Sequence, residues 1–462
     1  MYFNKKSAKL KAENINTNKM LTKSSEEHNM TDRICELADE FKPGMIDLAR
    51  RAIQCPSLTG EEAKVSEIFI SEMKKLGYDE TFRDDWGNIV GIVHGTEDGP
   101  TIMYNGHMDH VDVGDPSEWG GYDPYSGVID IDEMENEDRN TLEMTKVIHG
   151  RAASDTKCGI ACQIYSGAIL AKLKKEGYGF KGHYMVSAVV MEEPAEQIGM
   201  IGLYEHTLPA RGIHVDGVVS CEATGLRLYL GHRGRVELKV EVSGVTSHGS
   251  APWLGINAVN KAVKLIDAVE ERYKKDVKSD EKLGSSSIAL TIISCKPGAM
   301  CIVPDSCSIT YDRRLVPSET PEDAVREIQE IIDHLASEDK DFRATVEIAA
   351  VPRTTYTGKT VTIPNIKEGW RIDEEHPFVR AAANGLRKIG EPVGYSYWDF
   401  GTDLAMICGR HHVTALGYSP MQEYYCHRPV DKCRIDFMAR ALVGNLAIFS
   451  ELTTLKPEDF KL

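Results

Sequence analysis

The chain has 462 residues, too many for one ordinary core and suited to two or three domains of roughly 100 to 200 residues each. Its 54 Lys+Arg against 71 Asp+Glu leave a formal net charge of −17, which argues against nucleic acid or an anionic membrane surface as the main partner. The composition, 42% apolar and 27% charged, is that of a soluble globular protein. No apolar run approaches the roughly eighteen residues of a transmembrane helix.

Residues 1–30 carry many Lys, Asn and Ser but neither an apolar signal region nor a helical pattern. They read as a disordered tail, or as a start assigned too early, with Met20 or Met30 the true start. The 11 cysteines are odd in number, scattered and without a CxxC pair, so they read as reduced thiols of a cytoplasmic protein. The same scatter disfavours a four-thiolate zinc site.

In chain order, Lys42–Ile53 and Gly60–Leu76 are predicted amphipathic helices, with Glu61 and Glu62 in the first turn of the second. Short apolar runs follow at Ile89–Val93, Thr101–Tyr104, Tyr184–Met191 and Val215–Ser220, alternating with helical stretches such as Gly159–Lys174. That alternation predicts an α/β domain with a mostly parallel, doubly wound sheet. The acidic stretch Asp130–Met144 reads as a surface insertion loop. From about Gly231 the pattern changes. Strands are predicted at Arg235–Val242, Ser286–Ile293, Ser306–Leu315 and Ala344–Ala350, and helices at Asn257–Lys274 and Thr320–Ala336. Thr320 suits an N-cap, with Pro321 at the first helical position. This is an α+β unit inserted into a split α/β domain, which resumes near Pro377 and ends in the helix Ile435–Leu452. The expected boundaries are 31–228, 229–355 and 356–462.

The residues that terminate the α/β strands carry the chemistry. Thr101–Tyr104 runs into Asn105-Gly106-His107-Met108-Asp109, Tyr184–Met191 into Glu192-Glu193, and Val215–Ser220 into Cys221-Glu222. Ligands bind at the carboxyl ends of strands in open α/β sheets, so these groups are expected to converge. Asp155, just before a predicted helix, is a further candidate. His and carboxylate ligands without thiolates suit zinc, cobalt or manganese. Each residue alone has an ordinary explanation: a buried core histidine, a solvated acid, or a helix N-cap. Their joint occurrence at strand ends is what points to a metal site.

The full set of motifs resembles the acetylornithine deacetylase, succinyl-diaminopimelate desuccinylase and carboxypeptidase G family of dinuclear zinc amidohydrolases. The resemblance runs over residues 31–462. It is carried by Gly106-His107-Met108-Asp109, Asp123-Pro124-Tyr125-Ser126-Gly127, Gly150-Arg151-Ala152-Ala153-Ser154-Asp155-Thr156-Lys157, Met191-Glu192-Glu193 and Glu222. Ser247-His248-Gly249-Ser250-Ala251-Pro252, Asp312-Arg313-Arg314, Gly401-Thr402-Asp403 and His427 complete it. The chain departs from the family after His427, in Arg428-Pro429-Val430-Asp431, which leaves His411 and His412 as alternative ligands.

The resemblance implies a split catalytic domain with an inserted ferredoxin-like dimerisation domain. It also implies two divalent ions, zinc first, with cobalt or manganese as alternatives. Asp155 would bridge them, His107 and Glu222 would hold one, and Glu193 and His427 the other. Asp109 would orient the His107 imidazole, and Glu192 would be the general base toward a metal-bridged water. His248 would reach the oxyanion of a neighbouring subunit's site. Arg314, or its neighbour Arg313, would hold a substrate carboxylate, because a guanidinium pairs with it through two hydrogen bonds. Asn257 and Thr402 are further positioning groups. The implied activity is hydrolysis of an amide in a small carboxylate-bearing substrate, either an N-acyl amino acid or a short peptide. A binding module without catalysis and a hydrolase of ureido or cyclic amides are the alternatives. A homodimer through the inserted domain is expected, with no nucleic-acid or membrane partner.

Overall fold

The computed structural model describes residues 16–136, 141–194, 197–275 and 277–462. Its largest element is a nine-stranded sheet. Four strands at its centre run parallel, in the order Lys181–Val189, Glu97–His107, Gly217–Ser220 and Thr414–Gly417. Antiparallel strands flank them on both sides. Ile89–His94 and Glu80–Arg83 lie on one side, Leu228–His232 and Trp370–Arg371 on the other. The ninth strand, Tyr395–Trp398, pairs parallel to Leu228–His232, so the sheet is mixed, with its longest parallel run in the middle. Gly217–Ser220 and Thr414–Gly417 are buried along their whole length, as strands covered on both faces must be.

Helix Cys158–Lys175 packs against this sheet and is buried on nearly every side until its last turn of lysines. Helix Ile435–Leu452 packs beside it and beside Pro377–Lys388. One hydrophobic core unites these elements.

A second core lies around strand Gly234–Ser243, whose Val236, Leu238, Val240 and Val242 alternate inward. The antiparallel sheet here has the order Ser287–Lys296, Ser306–Leu315, Gly234–Ser243, Arg343–Ile348. Helices Ala258–Lys275 and Pro321–Glu338 cover one face. Thr320 and Asp323 form the reciprocal cap that starts the second helix. The outer strand Ser287–Lys296 leaves Leu290, Ile292 and Ile293 exposed.

Two expectations change. The acidic stretch 130–144 is not a loop: Ile129–Asn136 and Thr141–His149 form an antiparallel hairpin, extended by Lys432–Arg434. Its period-two alternation is masked by acids on both faces, two of which pair with the body, Asp132 with Lys432 (2.6 Å) and Glu143 with Arg434 (3.2 Å). The first helix is also longer than expected, running Asn16–Ile53, so part of the predicted tail is helical. The tail before Asn16 lies outside the described residues.

The two adjacent arginines separate by strand alternation. Arg313 points under the helices, donating to Glu319 (2.6 Å) and to the Tyr273 hydroxyl (3.0 Å). Arg314 lies on the open face, donating to Asp312 (2.7 Å). Arg313→Ala strands the buried Glu319 and should cost about 3–5 kcal/mol. Arg314→Ala should cost no more than about 1 kcal/mol. Equilibrium urea unfolding of both variants measures the difference.

Candidate metal centre

The register of the central strands brings the chemistry to one level. His107 lies opposite Val189, and Asn105 opposite Ser220, so the ends of three adjacent parallel strands are aligned. His107, Glu192-Glu193 and Glu222 leave these ends together. Asp155 arrives from the segment preceding helix Cys158–Lys175. Thr156 anchors that segment: its hydroxyl accepts from the His107 amide (3.1 Å) and donates to the His107 carbonyl (3.0 Å).

Asp155 stands between two imidazoles. His107 Nε2 is 2.8 Å from one carboxylate oxygen, and His427 Nε2 is 2.9 Å from the other. Glu222 lies 3.6 Å from His107 Nε2, and Glu193 lies 3.1 Å from His427 Nε2. Single ligand atoms of His107, Asp155 and Glu193 fall within 4.8 Å of one another, as do those of His107, Glu192 and Glu222. His427 adopts a left-handed φ of 61°, and Met191, just before the two glutamates, one of 57°. Non-glycine residues in that region are held by their surroundings.

Electrostatics separates this cluster from an ordinary buried network. Asp109, Asp155, Glu192, Glu222 and Asp403 are buried and Glu193 nearly so, with His107, His427 and Lys367 among their cationic neighbours and Lys157 near Asp109. Burial, with Asp155 close by, pushes the Glu193 carboxyl up to about 7. Burial raises Glu222 well above the carboxylate range and, with Glu192 nearby, Asp403 to about 7. Burial alone would lower His107, yet its hydrogen bonds to Asp109 and Asp155 hold it well above its ordinary value. Hydrogen bonds to Asp155 and Glu193 push His427 up to about 11. The cluster thus holds protons tightly where a cation would compensate the same charge. Among the described residues the buried Glu193 Oε1 has no hydrogen-bond partner. An unsatisfied carboxylate oxygen beside an all N/O donor set fits divalent metal.

The supporting shell differs in part from expectation. His107 Nδ1 is closest to the main-chain carbonyl of Asp109 (3.0 Å), while the Asp109 carboxylate lies at 3.5 Å. That carboxylate instead accepts from the Glu192 amide (3.1 Å), the Glu193 amide (3.2 Å) and the Thr59 hydroxyl (2.9 Å). Asp431 accepts from the amides of Ala152 (2.8 Å) and Ser154 (2.9 Å), tying the His427 loop to the Asp155 loop. Lys367, which nothing in its sequence context marks, is buried against Glu192.

Other expected residues lie apart or have local duties. His248 is exposed, and its Nδ1 meets the Ser250 hydroxyl (2.8 Å). The Asn257 side-chain oxygen caps helix Ala258–Lys275, accepting from Val259 (2.9 Å) and Asn260 (3.1 Å). Thr402 is buried, its amide donating to His232 and its hydroxyl accepting from Leu404 (both 3.2 Å). Of the alternative histidines, His411 pairs with Glu205 (2.9 Å), whereas His427 takes the place beside Asp155.

Residues 230–340 match the peptidase dimerisation domain of the M20 family. The chain is 29% identical over 403 residues to the uncharacterized protein YgeY of Escherichia coli K12, covering 86% of this chain and 92% of that protein. Its fold is that of the aminopeptidase PepT from Bacillus cereus, with TM-score 0.64, 19% identity, and coverage of 89% of this chain and 98% of the other. It is likewise similar to the Bacillus subtilis YXEP protein, a dinuclear metal-binding peptidase of the M20 family, with TM-score 0.61 and 14% identity over 91% and 99% of the two chains.

A metal ion entering this cluster would have to displace the protons that Glu193 holds up to about 7 and His427 up to about 11. Because protons and metal compete for the same atoms, affinity should rise with pH from about 6 to about 8. Zn²⁺ titration of metal-free protein, by calorimetry in buffers of different ionisation enthalpy, should show net proton release.

Proposed function

We propose that the protein is a metal-dependent hydrolase that cleaves an amide bond in a small substrate bearing a carboxylate, an N-acyl amino acid or a short peptide. The observation that carries this reading is Asp155, with one oxygen toward His107 and the other toward His427, inside a buried excess of carboxylates. Two divalent ions, zinc first and cobalt or manganese otherwise, would be held with Asp155 between them. His107 and Glu222 would serve one, and Glu193 and His427 the other. Such ions, when bound, polarise a carbonyl and acidify water.

The chain's own residues do the rest. Glu192 takes the proton of the attacking water and returns it to the leaving amine. Asp109 holds the backbone of Glu192 and Glu193 through their amides, so that Glu192, paired through one oxygen with Lys367, serves the water while Glu193 serves the metal site. Arg314, on the open face of the second sheet, is the group for the substrate carboxylate. The assigned units are 31–228 with 356–462 for catalysis and 229–355 for dimerisation. The dimerisation-domain match and the exposed Leu290, Ile292 and Ile293 on an edge strand support a homodimer. The exposed His248 is then available to a neighbouring subunit's site. Among the described residues no helix is long and apolar enough to cross a membrane. The cysteines are free, which suits the cytoplasm.

Amine release from N-acetyl, N-succinyl and N-carbamoyl amino acids and dipeptides, with metal-stripped and reloaded protein, tests this function. Turnover should require metal. Glu192→Gln should retain metal yet lose about 10² to 10⁴ in kcat. Asp155→Ala should lose metal from both positions, as read by elemental analysis. Full metal loading of Asp155→Ala would remove the bridging assignment.

A further inference from the structure

Glu192 is not alone in its pocket. The Lys367 ammonium meets its carboxylate, and the same ammonium donates to the Gly401 carbonyl at 3.0 Å. Both side chains are buried, so water screens the contact little. The aliphatic part of Lys367 is equally confined: a Cβ at Gly401 would lie 2.9 Å from its Cδ. The backbone of Lys367 belongs elsewhere. Ile366–Lys367 pairs with Val236 and Arg235 at the edge of the second sheet. The Ile366 carbonyl is further held by Gln197 Nε2 at 2.8 Å.

We infer that Lys367 is a positioning residue that seats the Glu192 carboxylate and ties that seat to the second sheet. This rests on the hydrolase reading above. The geometry gives the ammonium two fixed acceptors, one a side chain on the catalytic strand end and the other a carbonyl next to Thr402-Asp403. A rotatable glutamate on a strand-end loop needs such a partner, because a displacement of about 1 Å in a reacting group can cost about a hundredfold in rate. A lysine of the catalytic unit whose backbone is paired to the second sheet makes the direction of the base depend on how the two units sit. The contact is made by a strand that bridges them, not by the catalytic strands themselves.

The test uses full-length metal-loaded protein and whichever compound of the amide panel wild type turns over fastest. Lys367→Met should lower kcat about 10- to 100-fold with KM changed less than about threefold and metal content unchanged. Lys367→Arg, which keeps the cation, should recover part of the loss. In a Glu192→Gln background, adding Lys367→Met should cost less than about twofold more, because the lysine acts through the base. If Lys367→Met fails to fold, Lys367→Gln carries the same expectation. A wild-type kcat in the Lys367 variant overturns the inference. So does a raised KM at unchanged kcat, or an undiminished loss on top of Glu192→Gln. Silence of wild type itself across the panel overturns the hydrolase reading, and this inference with it.

Discussion

Negative charge packed at the carboxyl end of a parallel sheet is the constraint that organises this molecule. Isolated carboxylates do not survive burial. They must be protonated, paired or bound to cations. Here they crowd one another, and among the described residues the nearby imidazoles, Lys367 and Lys157 are fewer than the carboxylates. Burial, and after it that crowding, raises Glu193, Glu222 and Asp403, and hydrogen bonds to Asp155 and Glu193 make His427 strongly basic. Divalent ions, if bound there, would resolve the same imbalance without protons.

Holding like charges together takes a frame that does not yield, and the fold supplies it in layers. The parallel register aligns the strand ends. Asp109 then gathers the Glu192 and Glu193 amides, and Asp431 gathers those of Ala152 and Ser154. Each is a buried carboxylate spent on backbone donors. Burial lifts Asp431 to about 6, and it keeps its place through those hydrogen bonds and Arg151. His427, on a loop near the end of the chain, is brought to Asp155 by this lock.

The second unit contributes in a different way. It has its own core, its own sheet and an apolar edge, and its sheet holds the short strand Ile366–Lys367 from which Lys367 reaches the pocket of Glu192. Arg313 and Arg314 show the same division within one strand. One is consumed in holding the unit together, and the other stays on the open face.

Much of this was legible in the residues alone, and the limits have physical causes. Strand ends carrying His107, Glu192-Glu193 and Glu222 can be read from apolar runs that stop at chemistry-bearing residues, since the period of a strand is local. Helix Pro321–Glu338 and its Thr320 cap are local for the same reason. The acidic hairpin was not legible, because its pairing with Lys432–Arg434 spans some 300 residues of chain and its outward face mixes acids with Ile131, Leu142 and Met144. The antiparallel strands flanking the sheet's centre, the choice between Arg313 and Arg314, and the division of Asp109 between His107 and the glutamate amides depend on register. Register is decided by tertiary packing. Lys367 is the clearest case. A lysine after an apolar residue is an ordinary surface feature until a distant strand turns it inward against Glu192. Composition and motif order determined which chemistry is present; long-range pairing alone decided which of those groups meet.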